Sequence, residues 1–398
     1  MKKFYRQLSD MVMSTLILLV VLNLLLAAAF IMRDRFFSRP DVDSRIGTYR
    51  ERFADMAAYV RLTPEEATRF LDEQDQALSL GFEYAPWVQF RHIEFHGKLF
   101  NTDTSGYRRT RPPAAPSPHA AAMRMNVFGG STTFGIGVPD DHTIPSYVQA
   151  TLHATSPAAP FLVRNFGQGY YYSSQEMTLF LSLLKAGDVP QTAVFIDGTN
   201  DVYLLALQRD EPFFTPRTTQ LWTAARDATP PDGLRLPSSI PMVRLAKVLT
   251  SRIYGRTKEP DAAELSYRTL EDDSALTESE RKAIVDYVTS RYEANRRLIR
   301  AACREYAVQC LFVWQPHPAY RYDRSLHRTF PYKGASPEYI RQIFEHMSKD
   351  QSPDFLFLGD LLADVHEKVF VDDVHYNEPM NERIARRIVE KLQILPVQ

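Results

Sequence analysis

From about residue 123 onward the chain alternates short apolar runs with longer amphipathic ones. The runs Met125–Phe128, Phe161–Phe166, Ala193–Ile196, Cys310–Trp314 and Phe355–Leu358 have strand length and are bounded by turn residues. Stretches with helical spacing lie around them, at about Pro145–His153, Ser174–Lys185, from Thr277 onward, and at about Glu378–Leu392. Thr277 and Glu280 make a capping box at the start of the third of these. Short apolar strands that alternate with helices are the pattern of a parallel sheet covered on both faces. The expectation is an α/β fold: a doubly wound, flavodoxin-like parallel sheet of about five strands with flanking helices.

The chain begins differently. Met11 to Met32 run without a charge and are rich in Leu, Val, Ile and Ala, long enough at 1.5 Å per residue to cross a hydrocarbon core. Lys2, Lys3 and Arg6 precede this run. Ala27-Ala28-Ala29 would serve as a small-residue cleavage site, so a signal peptide stays open as a reading. Phe30-Ile31-Met32 carry the apolar run past that site and favour an uncleaved anchor. Arg33, Arg35, Arg39 and Arg45 blunt the positive-inside bias, but large domains translocate largely regardless of flanking charge. The expectation is a single-pass protein of a bacterial inner membrane, with residues 1–10 cytoplasmic, 11–32 spanning and the body periplasmic.

Residues 33–122 show no strand–helix alternation. Thr63-Pro64-Glu65-Glu66 is a helix start, Phe82 to Phe100 adds a strand or two, and Pro112 to Pro118 reads as a loop or linker. This region either supports the body near the membrane or packs onto the sheet as part of one domain. Residues 123–398 form the main domain, with an insertion at 202–276 far longer than a βα connection requires. That insertion is either a surface excursion or a lid over the carboxyl edge of the sheet.

With 398 residues, 44% of them apolar, the chain can bury a large core. Its net charge of −1 gives no electrostatic reason to expect a nucleic-acid partner. Two cysteines exclude a disulfide scaffold and a four-cysteine zinc site, and Cys303 and Cys310 are either one disulfide or two buried thiols.

Four segments carry chemistry. Asn126-Val127-Phe128-Gly129-Gly130-Ser131-Thr132-Thr133 reads as a buried strand feeding a tight turn that presents Ser131 at the strand's carboxyl end. Asn165-Phe166-Gly167-Gln168-Gly169-Tyr170 follows the second strand, Gly198-Thr199-Asn200-Asp201 the third, and Asp372-Asp373-Val374-His375 stands near the C-terminus. In this order and at these spacings the four segments resemble the blocks of the SGNH (GDSL-like) hydrolases, over about residues 123–395. One departure is Gly130, where many members of that family have aspartate.

The resemblance implies a serine esterase without metal or cofactor. Ser131 would be the nucleophile, His375 its base and Asp372 the group that holds the imidazole; neutral histidine is suited to take a serine proton near pH 7. The Ser131 amide, the Gly169 amide and the Asn200 side chain would form the oxyanion hole. Tyr170 and His317 are candidates for substrate contact, and Asp201 anchors its loop. A metal site built from His317, His375 and Asp372 lacks ligand spacing, and the Gly-x-Ser-x-Gly elbow of α/β-hydrolases is absent. The substrate class this implies is an O-acyl ester, an O-acetyl group on an envelope or extracellular polysaccharide above all. The alternatives are an O-acyltransferase using the same triad and a catalytically silent assembly protein.

Overall fold

The structure, a computed structural model, describes residues 2–36, 56–112, 122–156, 161–205, 276–327 and 337–394. The chain divides into two units, residues 1–47 with 226–262, and residues 48–225 with 263–398. Of the first unit the described part is one helix, α1 (Lys2–Phe36). Within it, the span Lys3–Ala28 holds an 18-residue stretch with a mean hydropathy of 2.6, enough by length and composition to cross a bilayer; signal sequences pass the same test.

The second unit is built on five parallel strands, β5 (Met123–Gly129), β6 (Phe161–Gly167), β7 (Thr192–Asp197), β8 (Gln309–Trp314) and β9 (Phe355–Phe357). Their order is β6-β5-β7-β8-β9. The chain therefore runs from β5 outward to β6, then returns to the other side of β5. That reversal opens a crevice at the carboxyl ends of β5 and β7, the place where open α/β sheets bind ligands. The register aligns those ends, pairing Gly129 with Gly167 and with Ile196, and Asp197 with Trp314.

Side-chain alternation along the strands gives each face its own core. One face carries a row of phenyl rings, with Phe128 5.3 Å from Phe166 and 4.9 Å from Phe195, which lies 5.5 Å from Phe312. Helices α5 (Ser173–Lys185), α6 (Glu278–Glu305) and α7 (Glu338–Met347) cover that row with Phe180, Tyr292 and Phe344 among others. The opposite face presents aliphatic residues such as Val127, Val194, Leu311 and Val313. It is covered by α4 (Ile144–Thr155) and α8 (Glu378–Ile394). This is the doubly wound sheet expected, with β5, β7 and β8 beginning one or two residues earlier than the apolar runs and β6 and β9 at the same residue. Helix α7 was not expected; its apolar residues Tyr339, Ile340, Ile343, Phe344 and Met347 recur at helical spacing and are all buried.

Residues 56–112 pack onto the same unit. Thr63 and Glu66 close the capping box of α2 (Pro64–Ser79). Two small antiparallel ladders follow, β1 (Phe82–Ala85) with β2 (Gln89–His92), and β3 (Phe95–His96) with β4 (Asn101–Thr102). A third apolar cluster joins Phe70 and Phe100 from this arm to Phe134 and Val371 beside the catalytic-type segments. Arg108 is completely buried and grips Asp140 (Nε–Oδ1 2.6 Å) and the Gly135 and Val138 carbonyls, fastening the arm to the loop after Ser131. The insertion reading for 202–276 and the linker reading for 112–118 fall almost entirely outside the described residues.

Candidate active site

Strand β5 ends at Gly129, Gly130 caps the next element, and Ser131 opens a single-turn helix, α3 (Ser131–Phe134). The serine amide stands in the first turn, where N–H groups have no acceptor within the helix. Gly130 is required by crowding. A Cβ there would run into Asn200 Nδ2 and lie 2.9 Å from the Tyr171 carbonyl. The aspartate common at this position in the SGNH hydrolases has no room in this chain.

The C-terminal segment forms a closed turn. Phe370 bridges Tyr376, and the Val371 amide donates to the His375 carbonyl at 2.8 Å. Inside it, Asp372 Oδ1 accepts the amides of Val374 (3.0 Å) and His375 (2.7 Å), while Oδ2 lies 2.7 Å from His375 Nδ1. On the other side of the ring, His375 Nε2 lies 2.7 Å from Ser131 Oγ. A carboxylate can only accept, so the proton between Asp372 and His375 sits on Nδ1, and Nε2 is the acceptor for the serine hydroxyl. Burial raises the Asp372 pKa, but the imidazole paired with it and the hydrogen bonds from the His375 and Val374 amides outweigh it. The net shift is downward, so this carboxyl stays ionised.

The turn is held from outside by His327, whose Nε2–H donates to the Asp373 carbonyl (3.0 Å). Gln315, just past β8, braces both halves of the site. Its Oε1 accepts from Thr132 Oγ1 at 2.7 Å and lies 3.2 Å from the hydroxyl of Tyr376. Nothing in the sequence singled Gln315 out; a glutamine after a buried strand is an ordinary turn residue.

Asn200 follows β7 through Gly198, which adopts φ +122° with the Trp314 ring 3.3 Å from where a Cβ would stand. Its Nδ2 donates to the Tyr171 carbonyl at 2.6 Å. One N–H of the amide is thereby used, and the group carries a second. Gly169 needs a correction. Its N–H donates to His92 Nε2 at 3.2 Å, so the amide expected to face an oxyanion faces the N-terminal arm instead. The His92 ring stacks on Phe134 at 4.1 Å, and the His92 amide donates to Gln168 Oε1 at 3.0 Å, which fixes that orientation. Sequence reasoning could not see this, because nothing in residues 82–92 shows that they reach the turn after β6.

Tyr170 adopts a left-handed backbone (φ +66°), is 37% exposed and meets Phe82 edge-on at 6.0 Å. His317 also needs a correction. It is 0% exposed, accepts the Ala319 amide at Nδ1 (3.1 Å) and packs beside Tyr203 and Phe344, so no substrate group reaches it. Burial, with a smaller contribution from His327, pushes its pKa down to about 3, and it is a neutral packing residue.

The fold and this geometry define a doubly wound α/β protein with a Ser–His–Asp constellation at the carboxyl edge of its sheet. No family model and no curated relative matches the chain. Among solved structures it is similar to the acetyl xylan esterase AlAXEase, at 12% identity and TM-score 0.36, over 68% of this chain and 100% of that one. It is also similar to a member of the lipolytic G-D-S-L family from Veillonella parvula, at 11% identity and TM-score 0.36, over 69% and 100%. A third is the acetylxylan esterase Axe2 from Geobacillus stearothermophilus, at 12% identity and TM-score 0.34, over 70% and 98%. At that level of likeness, what the chain does is read from its own residues and distances.

Proposed function

We propose that the chain is a serine esterase of the SGNH type, acting through an acyl-enzyme on Ser131. The observation that carries this is the unbroken relay from Ser131 Oγ through His375 to Asp372, with both links at 2.7 Å. The hydroxyl attacks an acyl carbonyl as His375 Nε2 takes its proton, and ionised Asp372 stabilises the imidazolium. The oxyanion receives the Ser131 N–H and the second N–H of Asn200, each such donor supplying about 10²–10³ in turnover. Collapse expels the alcohol, which takes the proton from His375. Water, deprotonated by the same nitrogen, then releases the acid.

The substrate class follows from the SGNH resemblance: an O-acyl, preferentially O-acetyl, ester on an envelope or extracellular polysaccharide. Two features favour a body outside the inner membrane. One is the apolar N-terminal helix, read as an anchor. The other is the Cys303–Cys310 disulfide with Cα atoms 6.4 Å apart, since such bonds persist in oxidising compartments. The test is hydrolysis of p-nitrophenyl acetate by the full chain in detergent. Wild type is expected to release nitrophenol, and Ser131→Ala to reduce release to the uncatalysed rate. Equal rates for the two proteins refute the assignment. Adding an acceptor sugar and looking for an acylated product separates hydrolysis from acyl transfer.

A further inference from the structure

Three carboxyl groups that the relay does not use are buried against the oxyanion side of the site. Glu176 lies in the first turn of α5, Asp197 ends β7, and Asp201 follows Asn200; all are 3% exposed or less. Burying carboxyl groups is expensive, and breaking their hydrogen bonds more so. Burial, with Asp197 and Asp201 close by, holds the Glu176 carboxyl well above the usual carboxylate range; like charges so placed cannot all ionise, so this group keeps its proton.

Asp201 has a different set of partners. Its Oδ1 accepts from Ser173 Oγ at 2.5 Å and from the Ser173 amide at 3.4 Å, and Oδ2 accepts from the Gly198 amide at 3.5 Å. Ser173 Oγ in turn accepts from Asn295 Nδ2 at 2.9 Å, and that amide lies equally far from Ser174 Oγ. Asn295 is buried on α6, a 28-residue helix packed along the sheet. Two loops are thus laced together twice, by Asn200 to the Tyr171 carbonyl and by Asp201 to Ser173. The first lacing holds the oxyanion amide itself. The second lies one residue beyond it and is tied through Ser173 to α6.

We infer that Asp201 is a positioning residue: it sets the spacing between the loop after β7 and the loop after β6, and thereby aims the Asn200 amide at the oxyanion, with Ser173 and Asn295 anchoring its grip. This rests on the esterase reading, since it requires an oxyanion to form beside Ser131. A carboxylate suits the task because it accepts from several donors at once, which a hydrophobic side chain of the same size could not do.

The experiment is a double-mutant cycle on p-nitrophenyl acetate, using the full chain in detergent. Asp201→Ala is expected to lower kcat by about 10²-fold, the loss of one oxyanion donor, with KM changed by less than about threefold. In an Asn200→Ala background the same substitution is expected to cost less than about threefold, because the residue it aims is gone. Ser173→Ala keeps the carboxylate and removes its hydroxyl donor. It provides a milder variant should Asp201→Ala fail to fold, and its kcat loss is likewise expected only where Asn200 is present. Losses that multiply across the two backgrounds, or an unchanged kcat in the variants, overturn the inference while wild-type turnover leaves the esterase reading standing. A folded wild type with no turnover removes both.

Discussion

Gly130→Ala separates the oxyanion hole from the proton relay. The backbone at Gly130 has φ −81° and ψ −154°, a conformation open to alanine, so the substitution carries no left-handed strain. Its methyl group, however, would run into Asn200 Nδ2 and stand 2.9 Å from the Tyr171 carbonyl, where ordinary contact needs about 3.5 Å. Those two atoms are the ends of the 2.6 Å hydrogen bond that holds the Asn200 side chain. Making room for the methyl therefore displaces the amide and breaks that bond, removing one oxyanion donor. The atoms nearest the methyl belong to Asn200 and Tyr171, and not to His375 or Asp372. The expected result is a fall in kcat of about 10²–10³, or about 2.7–4 kcal/mol of transition-state stabilisation, with KM nearly unchanged. Steady-state kinetics on p-nitrophenyl acetate read the fall, and a thermal melt confirms that the variant is folded. A folded Gly130→Ala protein with kcat within threefold of wild type refutes the oxyanion geometry.

His317 stays neutral in the folded chain until about pH 3, whereas an unfolded histidine takes its proton near pH 6.5. The unfolded state thus binds more protons between those values, so stability drops as the pH is lowered there, by up to about 1.4 kcal/mol per unit from this group alone. His317→Asn, whose Oδ1 can still accept the Ala319 amide, is expected to show a shallower acid loss in urea titrations between pH 6.5 and 4. A parallel loss in both proteins contradicts the buried neutral ring. The disulfide links residues seven apart, and converting Cys303 and Cys310 together to serine is expected to cost about 2.5 kcal/mol by chain entropy. Urea midpoints of the double variant and of reduced wild type are expected to agree; an unchanged midpoint after reduction argues that no such bond forms.

How far the sequence could be read depended on whether a signal was local. Phe128, Phe195 and Phe312 sit in short apolar runs whose length and turn boundaries mark strands, so the sheet could be traced before its order was known. Ser131, Asn200, Asp372 and His375 stood out because each lies in a short motif at a strand end or turn. The Gly169 error has a non-local cause: His92, 77 residues earlier, captures that amide. His317 misled because a histidine after a strand looks the same whether its ring points into the cleft or, as here, into the packed face beside Phe344. Gln315, Asn295 and Ser173 carry no motif at all. Their roles come from partners 183 and 122 residues away, which only the folded chain brings near.

The central claim is that Ser131 is the nucleophile. Treating the full chain in detergent with a fluorophosphonate, then locating the adduct by peptide mass spectrometry while following esterase activity, tests it most directly. The account predicts one phosphonyl group per chain on the peptide containing Ser131, activity lost in step with labelling, and no adduct in Ser131→Ala. Activity that survives full labelling, or an adduct on a different residue that tracks the loss, would contradict it.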